Sequence, residues 1–256
     1  MPASPWSFLD HPGPLPFAHR GGASEAPENT MAAFEAAVAL GYRYLETDVH
    51  LTADGVLLAF HDDHLDRVTD RRGVIAELPY AEVAKAKVDG RAPIPLLEDI
   101  LGAWPDVRVN IDPKHDSAVE PLAEIIRRTR SVARVCVGSF SDHRSSAVRD
   151  LVGPELCIAL GRAGVARLRA ASYRVPAGAP AAGCVQVPHR VKGHALVDER
   201  FIATAHDRGL QVHVWTIDDP TEMTELLDLG VDGIMTDQPA VLREVLESRG
   251  EWCSAV

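Results

Sequence analysis

Short apolar runs alternate along the chain with segments whose apolar residues recur every three to four positions. The runs are typical of buried strands and the periodic segments of amphipathic helices. The predicted strands cover residues 16–18, 44–51, 56–60, 107–112, 135–140, 156–160, 184–187, 210–216 and 232–236. The first predicted helix is capped by Asn29 and ended by Gly41, and the later ones cover 96–104, 118–129, 142–151, 163–171, 196–208, 220–229 and 239–248. This alternation predicts a largely parallel sheet.

The number of strand–helix units favours a closed barrel over a doubly wound sheet. Nine predicted strands compete for eight places, so one of them must lie outside the barrel. Residues 44–51 and 56–60 flank a tight turn and predict an antiparallel hairpin. Residues 62–95 are more polar, with one helical stretch near 81–86, and we interpret them as a small insertion after the third strand. We therefore predict a single α/β domain over residues 1–256, an irregular (β/α)8 TIM barrel.

The composition is that of a globular protein with a substantial core, since 46% of residues are hydrophobic and 25% are charged. The 37 acidic residues outnumber the 26 Lys and Arg residues, which gives a formal net charge of −11. A polyanion would be repelled overall, so we expect no nucleic-acid partner. A small anion held by a few convergent cations remains compatible with this charge.

We expect no membrane association and a cytoplasmic location. The first ten residues have no basic and apolar leader, and no window reaches about eighteen consecutive apolar residues. The four cysteines lack C-x-x-C spacing, and three of them lie in apolar runs, so we interpret them as free thiols in a reducing compartment: Cys136, Cys157, Cys184 and Cys253. The sequence sets no oligomeric state.

Carboxylates stand near the ends of two predicted strands. Glu46 and Asp48 are two residues apart on one strand and therefore share a face. Such an E-x-D pair is usually a surface feature, but this pair interrupts an apolar run, and Asp112 ends another predicted strand. Three carboxylates at the carboxyl edge of a barrel would form an all-oxygen site for a hard divalent cation, Mg²⁺ or Ca²⁺.

Two histidines are predicted beside these carboxylates. His19 ends the first strand, and folding the hairpin back brings His61 level with residues 46–48. Imidazoles exchange protons near neutral pH, so the pair predicts a general acid and a general base. They could instead ligate zinc, although neither H-x-E nor HExxH spacing is present. Most of the other nine histidines, His50 among them, are interpreted as structural.

The same region supplies cations and an aromatic side chain. Arg20 follows His19, and Lys114 lies two residues after Asp112, so both would face the cation and could bind a phosphate. Trp215 ends a predicted strand and either walls the pocket or belongs to the core. Gly21 and Gly22 permit a close backbone approach.

Several motifs, in order along nearly the whole chain, resemble those of the glycerophosphodiester phosphodiesterase family. They are His19-Arg20-Gly21, Pro27-Glu28-Asn29-Thr30, Glu46-Thr47-Asp48-Val49, Thr52-Ala53-Asp54-Gly55, His61-Asp62, Pro95-Leu96-Leu97-Glu98, Trp215-Thr216 and 230–239. The resemblance implies an irregular TIM barrel that hydrolyses glycerophosphodiesters to glycerol 3-phosphate and an alcohol. It also implies that His19 and His61 are the acid/base pair, that Glu46 and Asp48 bind the metal, and that Arg20 contacts phosphate.

Some alternatives remain open at this stage. The family usually has Glu where this chain has Asp112, which bears on ligand distance and on metal preference. A lysophospholipase D-like enzyme would use the same groups but needs an apolar channel, which the polar residues 62–95 do not predict. A non-catalytic phosphoester-binding barrel would be expected to lack a histidine or a carboxylate. Other metal-dependent barrel enzymes, such as aldolases or isomerases, do not require paired histidines.

Overall fold

The computed structural model describes residues 5–178 and 181–253. Its strands are β1 (Leu15–Ala18), β2 (Tyr44–Leu51), β3 (Leu57–Ala59), β4 (Lys87–Val88), β5 (Ala92–Pro93), β6 (Arg108–Pro113), β7 (Val135–Val137), β8 (Cys157–Leu160), β9 (Cys184–Pro188), β10 (Arg190–Val191), β11 (His194–Ala195), β12 (Gln211–Trp215) and β13 (Gly233–Thr236). Its α-helices are α1 (Met31–Ala39), α2 (Tyr80–Val83), α3 (Leu97–Ala103), α4 (Val119–Arg128), α5 (Asp142–Val152), α6 (Arg162–Ala171), α7 (Glu199–His206), α8 (Pro220–Leu229) and α9 (Pro239–Ser248).

Eight parallel strands close into a barrel. Strand β1 pairs with β2 on one side and with β13 on the other, and the sheet runs β1-β13-β12-β9-β8-β7-β6-β2. The ninth predicted strand is β3, which pairs antiparallel with β2 outside the barrel. The predicted irregular (β/α)8 TIM barrel is confirmed, including the hairpin that makes it irregular.

The barrel is held by two apolar layers. Helices pack on its outside through buried faces; α4, for example, buries Leu122, Ile125 and Ile126. Inside the barrel, Phe17 and Tyr44 lie with ring centroids 5.1 Å apart and are fully buried. The thiols of Cys136, Cys157 and Cys184 are also buried and free, as the sequence predicts. Packing on both faces leaves only the strand ends for polar chemistry.

The region of residues 62–95 contains more structure than its polarity predicts. The helix predicted near 81–86 is α2, and β4 pairs with β5. Leu65, Ile75 and Val83 pack with residues of β3 in a small separate core. A single-sequence pattern misses this core because its apolar residues are spaced irregularly along the chain.

Two local predictions differ from the structure. Thr30, and not Asn29, caps α1, because the Thr30 side chain accepts a hydrogen bond from the Ala33 N–H. Asn29 has a φ of 53° and points its amide at the carboxylate of Asp48 instead. The Pro, Gly and Ala content of residues 175–183 predicts a loop, and this stretch includes residues 179 and 180, which lie outside the described residues. Among the described helices, none has both the length and the apolar character needed to cross a membrane.

Candidate active site

One cavity of about 650 Å³ opens at the carboxyl ends of the barrel strands. Every site residue singled out by sequence lines it: His19, Arg20, Glu46, Asp48, His61, Asp112, Lys114 and Trp215. The barrel therefore brings together side chains that are up to 196 positions apart in the sequence (19 to 215). A concave site that gathers titratable groups in this way is the usual place for catalysis.

Strand register places the carboxylates beside one another. Asp48 and Asp112 are direct partners on the adjacent parallel strands β2 and β6. Glu46 precedes Asp48 by two residues and so shares its face. Glu46 and Asp48 are only 5% and 3% exposed. Like charges held this close in a buried setting repel one another, and each therefore needs a cation or a proton.

Glu46 is the carboxylate whose negative charge is least neutralised by neighbouring cations. Burial, and then the charge of Asp48, raise the pKa of Glu46 to about 7. Its Oε2 accepts a hydrogen bond from the backbone N–H of Arg20 at 3.1 Å and lies 3.8 Å from Nε2 of His19. Its environment therefore favours either a proton or a further cation at neutral pH.

Asp48 has two cations beside it. Lys114 Nζ lies 2.5 Å from Asp48 Oδ1, and Arg20 Nε lies 3.2 Å from Asp48 Oδ2. Burial alone would raise the pKa of Asp48, but these cations outweigh it and lower that pKa. Lys114 Nζ also lies 2.9 Å from Asp112 Oδ2, yet the pKa of Asp112 remains raised because it is desolvated and close to Asp48. The lysine thus stands between two carboxylates.

The turn after β1 directs two side chains into the cavity. Residues His19–Gly21 form a tight, kinked turn, in which Arg20 has a φ of 53° and Gly21 a φ of 86°. A Cβ atom at position 21 would lie 2.7 Å from the Cβ of Ala33, so a glycine is required for this close approach. Packing against α1 therefore explains Gly21, whereas Gly22 is explained by its close approach to the Pro239 ring at the start of α9.

Each cavity histidine is held by a carboxylate. His19 Nδ1 lies 2.7 Å from Asp237 Oδ1, and His61 Nδ1 lies 2.5 Å from Asp62 Oδ1. Burial would lower the pKa of His19, but the nearby charges of Glu46 and Asp237 outweigh it and raise that pKa. In both rings Nδ1 is engaged, so Nε2 is the nitrogen left for proton transfer.

The charged side chains of Asp62, Arg67 and Glu28 form a hydrogen-bonded network that supports His61. Arg67 donates to both carboxylate oxygens of Asp62, with Nε 2.5 Å from Oδ2, and to both oxygens of Glu28. These hydrogen bonds with Arg67 lower the pKa of Asp62 to about 2, so Asp62 stays ionised. Glu28 also accepts a hydrogen bond from Arg20 at 3.0 Å. The network links His61 to the turn that carries His19.

Four residues of this network were not predicted to have a role from the sequence: Glu28, Asp62, Arg67 and Asp237. Three of them lie inside the quoted motifs, so their positions were visible in the sequence. Their partners were not, because a hydrogen bond such as that from His19 to Asp237 depends on barrel closure. Arg67 lies in the insertion, where nothing in the sequence distinguished it from a surface cation.

The donor chemistry at β2 and β6 suits a hard divalent cation. Glu46, Asp48 and Asp112 offer only carboxylate oxygens, which Mg²⁺ and Ca²⁺ prefer. Burial, and then the charge of Asp48, raise the pKa values of Glu46 and Asp112, so a cation beside these carboxyl groups would favour their ionised forms. In the described residues these three do not bring their ligand atoms within 4.8 Å of one another, and Lys114 stands between two of them.

The other side of the cavity is apolar. Trp215 ends β12, and its ring lies 5.9 Å, centroid to centroid and edge-on, from the ring of Phe140. Trp215 is thus part of the cavity wall, one of the two roles that the sequence allowed. Phe140 is 51% exposed and Val191, also in the wall, is 47% exposed. The cavity therefore has a charged end and an apolar end.

Comparisons with known proteins agree with this geometry. The model of the glycerophosphoryl diester phosphodiesterase family matches residues 19–241. The chain is 41% identical to the probable glycerophosphodiester phosphodiesterase 2 of Mycobacterium tuberculosis, over 97% of this chain and 96% of that protein. It is 27% identical to lysophospholipase D GDPD1 of Rattus norvegicus, over 90% of this chain and 85% of that protein.

The fold recurs in solved structures. One is a phosphodiesterase of Oleispira antarctica in complex with the product sn-glycerol-3-phosphate. The two share 22% identity and a TM-score of 0.77, over 92% of this chain and 97% of the other. Taken with the family match, the barrel and its cavity define the class of protein: an enzyme that hydrolyses phosphoric diesters. More narrowly, the chain belongs to the glycerophosphoryl diester phosphodiesterase family.

The pKa of Glu46 predicts a pH-dependent stability of the metal-free protein. The native pKa is raised from 4.5 to about 7, so the native state binds the proton of Glu46 more tightly than the unfolded state does. The resulting contribution to the free energy of unfolding is fully present below pH 4.5 and is lost as pH rises through about 7. In chelator-treated protein, Glu46→Gln should therefore gain stability over the wild type across this range, on the order of 2 kcal/mol. Denaturant unfolding at several pH values measures the difference.

The control for this prediction is Glu77→Gln, which removes an exposed glutamate outside the cavity. Its stability should follow that of the wild type at every pH. Parallel curves for Glu46→Gln and the wild type would show that the native pKa of Glu46 is ordinary.

Proposed function

We propose that this enzyme hydrolyses glycerophosphodiesters to glycerol 3-phosphate and an alcohol, with a divalent cation and two histidines. The main support for the proposal is that two imidazoles, each held through Nδ1 by a carboxylate, border the same cavity as two buried carboxylates, a half-buried third one and two cations. That combination serves proton transfer and anion binding in one place. The M. tuberculosis relative named as a glycerophosphodiester phosphodiesterase supports the substrate class.

Glu46, Asp48 and Asp112 would hold the cation, Mg²⁺ or Ca²⁺. When bound, such an ion neutralises charge on a phosphoryl oxygen and orients the diester. Arg20 lines the cavity beside these carboxylates, and its guanidinium suits two phosphate oxygens. Lys114, released from Asp48 and Asp112, would add a second positive charge. These groups counter the repulsion that otherwise keeps a nucleophile away from a phosphodiester.

His19 and His61 then divide the proton transfers. One imidazole accepts the proton of the attacking oxygen, and the other protonates the departing alkoxide. Asp237 and Asp62 fix the orientation of the two rings and leave both Nε2 atoms for the substrate. Asp62 in turn is held by Arg67, so the position of His61 depends on the insertion.

We further propose that residues 1–256 act as one barrel domain, with residues 62–95 as its insertion, in the cytoplasm and on small-molecule diesters without nucleic acid. The packing of the insertion against β3 supports one domain. The free thiols support a reducing compartment, and the net charge of −11 supports the exclusion of polyanions.

The first test is release of glycerol 3-phosphate from glycerophosphocholine and glycerophosphoethanolamine. We expect release to fall by at least about 100-fold with EDTA, because the cation stabilises developing charge. Added Mg²⁺ or Ca²⁺ should restore it, and the better ion reports on the short Asp112 side chain. Full activity in EDTA would contradict the metal requirement, and no activity with any ion would contradict the substrate class.

The second test removes each imidazole. His19→Gln and His61→Gln should each lower kcat by about 10²–10⁴-fold, the usual contribution of one proton transfer. Their thermal midpoints should stay near that of the wild type. The matched control is His206→Gln, which breaks a histidine–carboxylate pair of 2.7 Å with Asp232 outside the cavity. An unfolded His19 or His61 variant, or one with ordinary turnover, would assign that histidine a structural role.

The apolar end of the cavity favours a second candidate, a lysophospholipase D-like activity on substrates with an acyl chain. The sequence analysis sought the required apolar channel in residues 62–95. The apolar wall instead comes from segments after β7, β8 and β9 and from the end of β12: Phe140, Leu160, Val165, Val191, Leu196 and Trp215. Exposed apolar side chains at a cavity mouth are typical of a surface that binds an apolar ligand. The rat relative named as a lysophospholipase D supports this candidate.

Phe140→Ser separates the two candidates. If an acyl chain lies along Phe140, the kcat/KM of this variant for lysophosphatidylcholine should fall roughly 10-fold, because the chain can no longer bury part of the aromatic ring. The kcat/KM for glycerophosphocholine should stay within about 2-fold of the wild type, since that substrate has no chain to bury. Leu151→Ser, which alters another exposed apolar residue outside the cavity, is the control. Equal effects of Phe140→Ser on both substrates would remove the acyl-chain candidate.

A further inference from the structure

A second group of potential ligands lies beside the active site and has no part in the proposed chemistry. His50, Asp63 and His115 each offer one ligand atom, and these atoms lie within 4.8 Å of one another. His115 Nε2 is 2.8 Å from Asp63 Oδ1, and His50 Nδ1 is 3.9 Å from the same oxygen. We propose that these three residues bind a transition-metal ion of the Zn²⁺ type.

The spacing of the three ligand atoms agrees with a tetrahedral ion. With Zn–N and Zn–O bonds of about 2.0–2.1 Å, neighbouring ligands around such an ion lie about 3.3 Å apart. The two observed distances, 2.8 and 3.9 Å, lie on either side of that value. These two pairs of atoms, and the third pair within 4.8 Å, are therefore near the spacing that a tetrahedral ion requires. Three protein ligands would leave a fourth position for water.

His50 is prepared for ligation in a way that a surface histidine is not. It is only 2% exposed, and its Nε2 lies 2.9 Å from the backbone carbonyl oxygen of His61. A carbonyl oxygen can only accept, so Nε2 carries the hydrogen and Nδ1 presents its lone pair. Metal-ligating histidines have this arrangement, in which the other ring nitrogen donates to a carbonyl group and fixes the ring.

The donor set distinguishes this group from the carboxylates of the cavity. Two imidazoles and one carboxylate suit Zn²⁺ and its neighbours, whereas Mg²⁺ and Ca²⁺ prefer oxygen alone. The three ligands also come from three segments that the sheet brings together. His50 lies on β2, Asp63 follows β3, and His115 follows β6. Because β2 pairs with both β3 and β6, the three residues are held near one another without an ion.

A bound ion at this group would connect two loops of the active-site cavity. Asp63 is two residues after His61, and His115 directly follows Lys114. An ion shared by Asp63 and His115 would tie together the two loops that carry those cavity residues. Both loop ligands are about half exposed, with side-chain exposures of 58% and 50%, so the ion can enter from solvent.

Cobalt(II) is the probe that tests the proposal, because its visible absorption reports tetrahedral ligation. Chelator-treated protein in excess Mg²⁺ should bind one Co²⁺ per chain, and Zn²⁺ should displace it. His115→Gln and Asp63→Asn should weaken binding by at least about 10-fold, since even a supporting residue of a metal site is worth this much. Zn²⁺ should raise the Tm of the wild type but not that of His115→Gln.

The matched control is His64→Gln, which removes an exposed histidine next to Asp63 but outside the group. It should bind Co²⁺ as the wild type does. Unchanged binding by His115→Gln would overturn the proposal. So would a thiolate charge-transfer band, which would place the ion at Cys136, Cys157 and Cys184. Loss of binding in Glu46→Gln but not in His115→Gln would place it among the cavity carboxylates and would also overturn the proposal.

Discussion

Mutual repulsion among buried carboxylates is the constraint on which the site depends. Strands β2 and β6 place Glu46, Asp48 and Asp112 side by side at the end of the barrel, where little water screens them. Arg20 and Lys114 neutralise Asp48, while Glu46 and Asp112 keep raised pKa values. Burial and mutual repulsion thus leave two of the three carboxyl groups with raised pKa values, and a cation beside them would favour their ionised forms.

The supporting charges come from segments that are far apart in sequence. The insertion supplies Arg67, which holds Asp62 and Glu28 together, and Glu28 reaches back to Arg20. Strand β3, outside the barrel, carries the chain to His61. The barrel therefore provides the three carboxylates, His19, Arg20 and Lys114, whereas the hairpin and the insertion provide His61, Asp62 and Arg67. Departures from the regular (β/α)8 pattern thus supply one of the two cavity histidines and the charged side chains that hold it.

Apolar patterning predicted nearly all of the barrel because each strand is buried on both faces and each helix on one. The hairpin was predictable because its turn is short, and it correctly placed His61 level with residues 46–48, since the neighbouring Phe60 N–H donates to the Asp48 carbonyl oxygen at 2.9 Å. The pairing of His19 with Asp237 was not predictable, since it depends on barrel closure. The cap of α1 was assigned to Asn29 because capping residues resemble one another in sequence, whereas Thr30 takes that role and Asn29 bonds to Asp48.

The hydrogen bond between His19 and Asp237 joins residues 218 positions apart. It forms only when β13 docks against β1, which is the last pairing that the chain can make as it leaves the ribosome. A nascent or prematurely terminated chain can hold β1, β2 and all three carboxylates and still lack an oriented His19. The orientation of His19 by Asp237 therefore depends on the strand that closes the barrel, and a chain that ends before β13 lacks this hydrogen bond.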